Sequence, residues 1–219
     1  MSKQIAIDGP AGAGKSTIAK RVAKLLGFIY VDTGAMYRAM ALYMIKEGVP
    51  GNDRQKIVEK SNEVDITLKY ENGEQKVILN GEDVSGLIRT EEVGNMASTI
   101  SVIGYVREKL VELQQKLAET TDVVMDGRDI GTVVLPKADL KIYLTASSRV
   151  RAERRYKELV EKGQSCNLEE IEKDIIDRDY RDMHREISPL KKAEDAILID
   201  SSDITIDEVV DKIISCYKR

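Results

Sequence analysis

Ile5-Ala6-Ile7-Asp8-Gly9-Pro10-Ala11-Gly12-Ala13-Gly14-Lys15-Ser16 is the stretch on which the fold turns. Its first three residues suit a short buried strand, and the eight from Gly9 satisfy G-x-x-x-x-G-K-[ST]. Behind them Ile18, Val22 and Leu25, with Ala19, Ala23 and Leu26, make an apolar stripe at helical spacing that Gly27 can end. Strand, glycine loop and helix in that order form a phosphate cradle. The glycines let backbone N–H groups converge without Cβ clashes, and the helix N-terminus adds partial positive charge. Lys15 is placed to reach the β- and γ-phosphates, and the Ser16 hydroxyl can ligate Mg²⁺. The chain is therefore read as binding a nucleoside triphosphate. Gly9, Pro10, Ala11, Gly12, Ala13, Gly14, Lys15, Ser16 and Thr17 are its candidate contacts.

Four more apolar runs follow: Phe28 to Val31, Val123 to Met125, Leu140 to Leu144, and Ala196 to Ile199. The first, third and fifth of the five runs end in Asp8, Asp126 and Asp200. Nearly continuous apolar strands separated by helices are what a parallel sheet covered on both faces requires. Helices are predicted over Met36–Lys46, Val102–Ala118, Arg149–Lys162, Leu168–Arg185 and Ile206–Lys218. The expected class is α/β, with a central five-stranded parallel sheet flanked by helices. Val64 to Val84 breaks that rhythm, because Asn72-Gly73 and Asn80-Gly81 beside alternating strands suggest a small antiparallel insertion.

Composition narrows the function classes. The 219 residues, 42% hydrophobic and 33% charged, suit a globular protein rather than a disordered one. With 34 Lys+Arg against 38 Asp+Glu the net charge is −4, which argues against a protein that coats nucleic acid or an anionic membrane. Two distant cysteines, Cys166 and Cys216, make no disulfide framework or zinc motif, and the single His184 makes a Ser-His-Asp triad improbable. The N-terminal residues, with Lys3, do not have the make-up of a signal peptide, and Ala39 to Ile45 is too short for a membrane span. A cytoplasmic protein is expected.

Candidate acceptor residues gather at three places. Asp32-Thr33-Gly34-Ala35-Met36-Tyr37-Arg38 leads from the second strand into a helix that Thr33 is placed to cap. Asp126-Gly127-Arg128-Asp129-Ile130-Gly131-Thr132 follows the third strand, where open α/β sheets bind ligands. Arg149, Arg151, Arg154 and Arg155 crowd one helix start, and Arg178, Asp182 and Arg185 stand at i, i+4 and i+7. The last group also reads as a solvated helix, with Asp174–Arg178, Asp177–Arg181 and Asp182–Arg185 as exposed ion pairs worth about 0.3–0.5 kcal/mol each. Beside a phosphate loop it reads as charge for a second phosphate-bearing substrate.

Several of these runs resemble bacterial-type cytidylate kinases, within the P-loop nucleoside monophosphate kinases. They are residues 7–16, 32–38 and 126–132, with Ile88-Arg89-Thr90, Val93, Ala97-Ser98, Val106-Arg107-Glu108, Arg178-Asp179, Arg181-Asp182 and Ser188-Pro189-Leu190. The resemblance covers essentially the whole chain and implies one kinase domain over 1–219. Within it, a monophosphate-binding part lies near 36–97 with the β insertion near 64–84, and a lid with flanking helices near 149–185. It implies transfer of the γ-phosphoryl of MgATP to CMP or dCMP. By the same resemblance Ser98, Arg107 and Asp129 read cytosine, while Arg178 and Asp182 contact the ribose. Arg38, Arg128 and Arg185 hold the acceptor phosphate with Thr33 nearby, and Arg151, Arg154 and Arg155 belong to the lid over ATP. Lys15, Arg128, Arg185 and the lid arginines are then the catalytic set, with Mg²⁺ the cofactor at Ser16. The implied partners are ATP and CMP or dCMP, with no nucleic acid, no membrane and a monomeric chain. Two other readings compete on the residues alone: a P-loop kinase for another acceptor, such as a different nucleoside monophosphate or a polyol acid, and a nucleotide-binding regulator with negligible turnover.

Overall fold

The computed structural model describes residues 2–71 and 74–218. The first half of the chain runs β1 (Gln4–Asp8), α1 (Lys15–Leu26), β2 (Ile29–Asp32), α2 (Thr33–Lys46), α3 (Arg54–Ser61), β3 (Ile66–Glu71), β4 (Glu74–Leu79), β5 (Glu82–Asp83) and α4 (Glu91–Ile100). It continues with α5 (Gly104–Thr120), β6 (Val123–Gly127), one π-helical turn (Ile130–Val134), β7 (Leu140–Thr145), α6 (Ser148–Glu161), α7 (Leu168–His184), β8 (Ile197–Asp200) and α8 (Ile206–Tyr217). Two compact units emerge: Met1–Tyr30 with Thr121–Arg219, and Val31–Thr120. Among the described residues no helix is long and apolar enough to cross a membrane.

The five apolar runs become one parallel sheet in the order β2-β6-β1-β7-β8. β1 lies in the middle, with Asp8 opposite Gly127 of β6 and Tyr143 of β7, so the phosphate loop leaves the sheet between those two strands. Central position explains why Ile5, Ala6 and Ile7 are fully buried. α1 and α8 lay Ile18, Val22, Val210 and Ile213 onto the sheet residues Ile5, Ile7, Val124 and Leu144. The last run differs from expectation: β8 is an edge strand, and Ile197 and Leu198 are exposed.

The other unit has its own core, in which Met36, Met40 and Met44 of α2 meet Ile57, Ile88, Ile100 and Leu110. The predicted insertion is there as a three-stranded antiparallel sheet, β3-β4-β5, with Ile66 opposite Leu79 and Ile78 opposite Asp83. Asn80 and Gly81 both take left-handed φ, 48° and 88°, which is the mirror-image turn that an Asn-Gly step favours. The other step, Asn72-Gly73, lies outside the described residues.

Three expectations need correction. Asp32, not Thr33, caps α2: its carboxylate accepts the Ala35 N–H at 3.0 Å, so the helix starts one residue earlier than a Thr33 cap allows. The helix expected over Val102–Ala118 is α5, but the chain between it and α2, expected to carry only the strand insertion, also holds α3 and α4, the latter burying Val93, Ala97 and Ile100. α7 ends at His184, and Arg185 is extended (φ −66°, ψ 143°). The i+7 argument therefore holds on the helix for Arg178 and Asp182 only.

Candidate active site

The phosphate loop is built by a close approach. A Cβ on Gly9, at φ +152°, would lie 1.9 Å from the backbone oxygen of Leu144, so only glycine lets the chain turn out of β1 beside β7. Lys15 opens α1 and is buried, its Nζ donating to the carbonyl of Pro10 at 2.7 Å. Burial and the like charge of Arg128 push the ammonium far down, to about 7, against the pull of Asp126, Asp8 and Asp182. A cation so placed is primed for a polyanion that restores its charge.

Asp126, which opens the stretch expected on the acceptor side, is turned instead toward Ser16 of α1. It accepts the Ser16 hydroxyl at 3.0 Å and the Tyr30 hydroxyl at 2.8 Å while almost fully buried. The sequence signal was available, since a carboxylate ends the strand beside the phosphate-loop strand. Hydroxyl and carboxylate oxygens are the hard donors that Mg²⁺ takes, so Ser16 and Asp126 fit that ion.

The loop after β6 meets the last turn of α7 and the residue beyond it through crossed ion pairs. Arg128 Nε donates to Asp182 at 2.8 Å, and Arg185 Nη2 stands 3.7 Å from Asp129. Burial pushes the Asp182 carboxyl up, but Arg128, Arg178 and Arg185 outweigh it and hold it below the ordinary carboxylate value. Asp182 is thus a buried charge in an arginine cluster and not half of an exposed helical pair with Arg185. Arg185 also donates to the Ser188 carbonyl at 2.6 Å. Arg181, expected to pair with the Asp177 side chain, donates to that residue's backbone carbonyl at 3.3 Å.

The three arginines expected in a lid part company. Arg151 is buried, donating to the carbonyls of Ala146 and Ala11, each at 2.9 Å, and pairing with Asp179 at 2.7 Å. Arg154 donates to the carbonyl and hydroxyl oxygens of Ser201, at 2.6 and 3.3 Å, at the end of β8. Arg155 stays on the exposed face of α6 with Glu158 at 2.9 Å.

In the unit Val31–Thr120, Arg107 is buried on α5, donates to the Ser101 carbonyl at 3.0 Å and lies 5.4 Å from the Tyr37 ring centre. Ser101 in turn donates to the Ser98 carbonyl at 2.9 Å, which chains Ser98 and Arg107 together. Thr33 is buried at the start of α2, with Arg38 half-buried further along it. Arg89, unforeseen as a partner, reaches Asp32 at 2.7 Å.

A glycine loop emerging from the central strand of a five-stranded parallel sheet, with a buried lysine at the head of the next helix, defines the P-loop nucleotide-binding class. A shikimate kinase from Bacteroides thetaiotaomicron has a similar fold, at a TM-score of 0.50 and 14% identity over 99% of each chain. The sequence model of the cytidylate kinase family matches residues 5–219. A cytidylate kinase of Lactobacillus gasseri is 55% identical over 210 residues, covering 96% of this chain and 91% of that protein. One of Caldicellulosiruptor bescii is 53% identical over 215 residues, covering 98% and 95%. The chain belongs to the cytidylate kinase family.

Proposed function

We propose that this protein transfers the γ-phosphoryl group of ATP to CMP or dCMP, giving ADP and CDP or dCDP. The observation that carries the reading is one cluster of buried charges at the head of α1: Lys15 opens that helix, Asp126 takes its Ser16 hydroxyl at 3.0 Å, and Arg128, two residues on, pairs with Asp182 at 2.8 Å. Phosphoryl transfer needs two polyanions brought into line and the developing charge neutralised, with no protein nucleophile. Gly9 to Thr17 cradle the phosphates of ATP, and Lys15 neutralises the transferring group. When bound through Ser16 and Asp126, Mg²⁺ supplies further neutralisation on the β- and γ-phosphates. Arg128 and Arg185 hold the acceptor phosphate, Arg178 and Asp182 the ribose, and Asp129 the cytosine amine. Arg38 serves the acceptor phosphate, and Ser98 and Arg107 donate to cytosine. Arg151, tied to the Ala11 carbonyl, supports the phosphate loop directly. The reading includes a cytoplasmic monomer acting on small-molecule substrates.

Coupled ADP release with MgATP across CMP, dCMP, UMP, AMP and GMP tests it. Rapid release with CMP and dCMP alone is the expected result, and chelating Mg²⁺ should stop it. ADP release that ignores the acceptor, or that prefers another monophosphate, refutes the reading.

Asp182→Asn gives a finer test. It keeps an oxygen for Arg128 but removes the charge that three arginines surround. KM for CMP and dCMP should rise about tenfold or more, the loss of one charged hydrogen bond, with ATP affinity unchanged. Normal KM values for both acceptors would assign Asp182 to stability alone.

A further inference from the structure

Asp8 ends β1, one residue before the phosphate loop, and the reading above gives it no contact with either substrate. Its side chain is almost fully buried, and both oxygens are engaged: Oδ1 accepts the Ile130 N–H and Oδ2 the Gly131 N–H, each at 2.7 Å. Those two N–H groups open the π-helical turn that follows Arg128 and Asp129 directly. One carboxylate therefore ties the strand feeding the phosphate loop to the segment that carries two proposed acceptor ligands.

We propose that Asp8 is a positioning residue for the acceptor, setting the aim of Arg128 and Asp129 against the phosphate loop through its paired bonds to Ile130 and Gly131. Three further observations support it. The register places Asp8 opposite Gly127, immediately ahead of Arg128, so its bonds act at the base of the acceptor loop. Gly131 leaves room for this approach, since a Cβ there would lie 3.3 Å from Asp8 Oδ2 and 3.1 Å from Lys141 Cδ. The carboxylate is also held at a cost. Burial raises its carboxyl to about 6, the two N–H bonds and Lys15 pull it down, and Asp129 pushes it up.

The inference rests on the kinase reading and is tested with Asp8→Asn in the full-length protein. The amide turns an NH₂ group toward one of the two N–H donors, so one bond is lost while side-chain size is kept. KM for CMP should rise tenfold or more, and the CMP/UMP ratio of kcat/KM should fall at least fivefold. The Kd of a non-hydrolysable ATP analogue with Mg²⁺, measured by calorimetry without acceptor, should stay within twofold. Gly131→Ala attacks the same contact from the other side with the Asp8 charge intact, and should give the same split. If Asp8→Asn does not fold, Gly131→Ala decides alone. An unchanged CMP/UMP ratio, or equal losses of ATP and CMP affinity, overturns the proposal. A wild-type protein with no CMP-dependent ADP release would instead overturn the kinase reading, which keeps the two failures distinct.

Discussion

Lys15→Met is expected to lower kcat by ~10² or more, the scale of deleting one preorganised electrostatic donor, while the empty protein loses no stability. The two halves have one cause. The Lys15 ammonium is buried beside Arg128, and its folded value falls from 10.5 to about 7. For a lysine lowered in this way the unfolded chain binds the proton more tightly. Between about 7 and 10.5 the empty protein therefore gains stability as pH rises, and at lower pH it carries the full cost of the buried charge. Methionine removes that cost and gives up the bond to the Pro10 carbonyl, an opposing loss of about 1 kcal/mol. Calorimetry of the nucleotide-free variant at pH 6.5 should give a Tm no lower than wild type, with activity collapsed. Near-normal kcat in the folded variant would remove Lys15 from the chemistry. A clear fall in Tm would mean that the bond to Pro10 outweighs the buried charge.

Local chemistry was legible in the sequence, and pairings across long separations were not. The phosphate loop declares itself because its glycines and its lysine act within eight residues, and the Asn80-Gly81 turn is equally local. The class of sheet followed from five apolar runs, but the exposure of Ile197 and Leu198 did not, since edge position depends on strand order. Within the site, Arg128 and Asp182 are 54 positions apart, and Ser16 and Asp126 are 110 apart. Spacing along α7 correctly grouped Arg178 with Asp182 but matched the carboxylate to Arg185, when the facing loop supplies Arg128. Arg151 illustrates the same limit. Next to Arg154 and Arg155 it reads as one more arginine of a cluster at a helix start, yet its neighbours in space are the Ala11 carbonyl and Asp179. Asp8 shows in the sequence only as a strand-ending carboxylate, because its partners, two backbone N–H groups more than 120 residues away, are invisible in side-chain patterns.

Asp129→Ala should collapse the preference for CMP over UMP. Cytosine presents an N4 amine that a carboxylate can accept, whereas uracil places its O4 acceptor there, leaving two acceptors face to face. Asp129 is almost fully buried, so water does not relieve that mismatch. An unpaired buried group costs about 1–3 kcal/mol, more when charged, and a hydrogen-bonding site can reject the mismatched analogue by up to ~10⁴. Removing the carboxylate should lower kcat/KM for CMP by orders of magnitude and leave UMP nearly where it was. The competing role is concrete in the structure: Asp129 lies 3.7 Å from Arg185 Nη2 and could serve only to brace that arginine. A brace is indifferent to the base, so its loss would weaken CMP and UMP equally. Asp129→Asn separates the two further, because its amide can turn either an oxygen toward N4 or an NH₂ group toward O4. Under base reading that variant should improve UMP in absolute terms, an outcome no bracing role provides. Parallel kcat/KM measurements on CMP and UMP for both variants decide it, and an unchanged ratio in Asp129→Ala would assign the carboxylate to Arg185 alone.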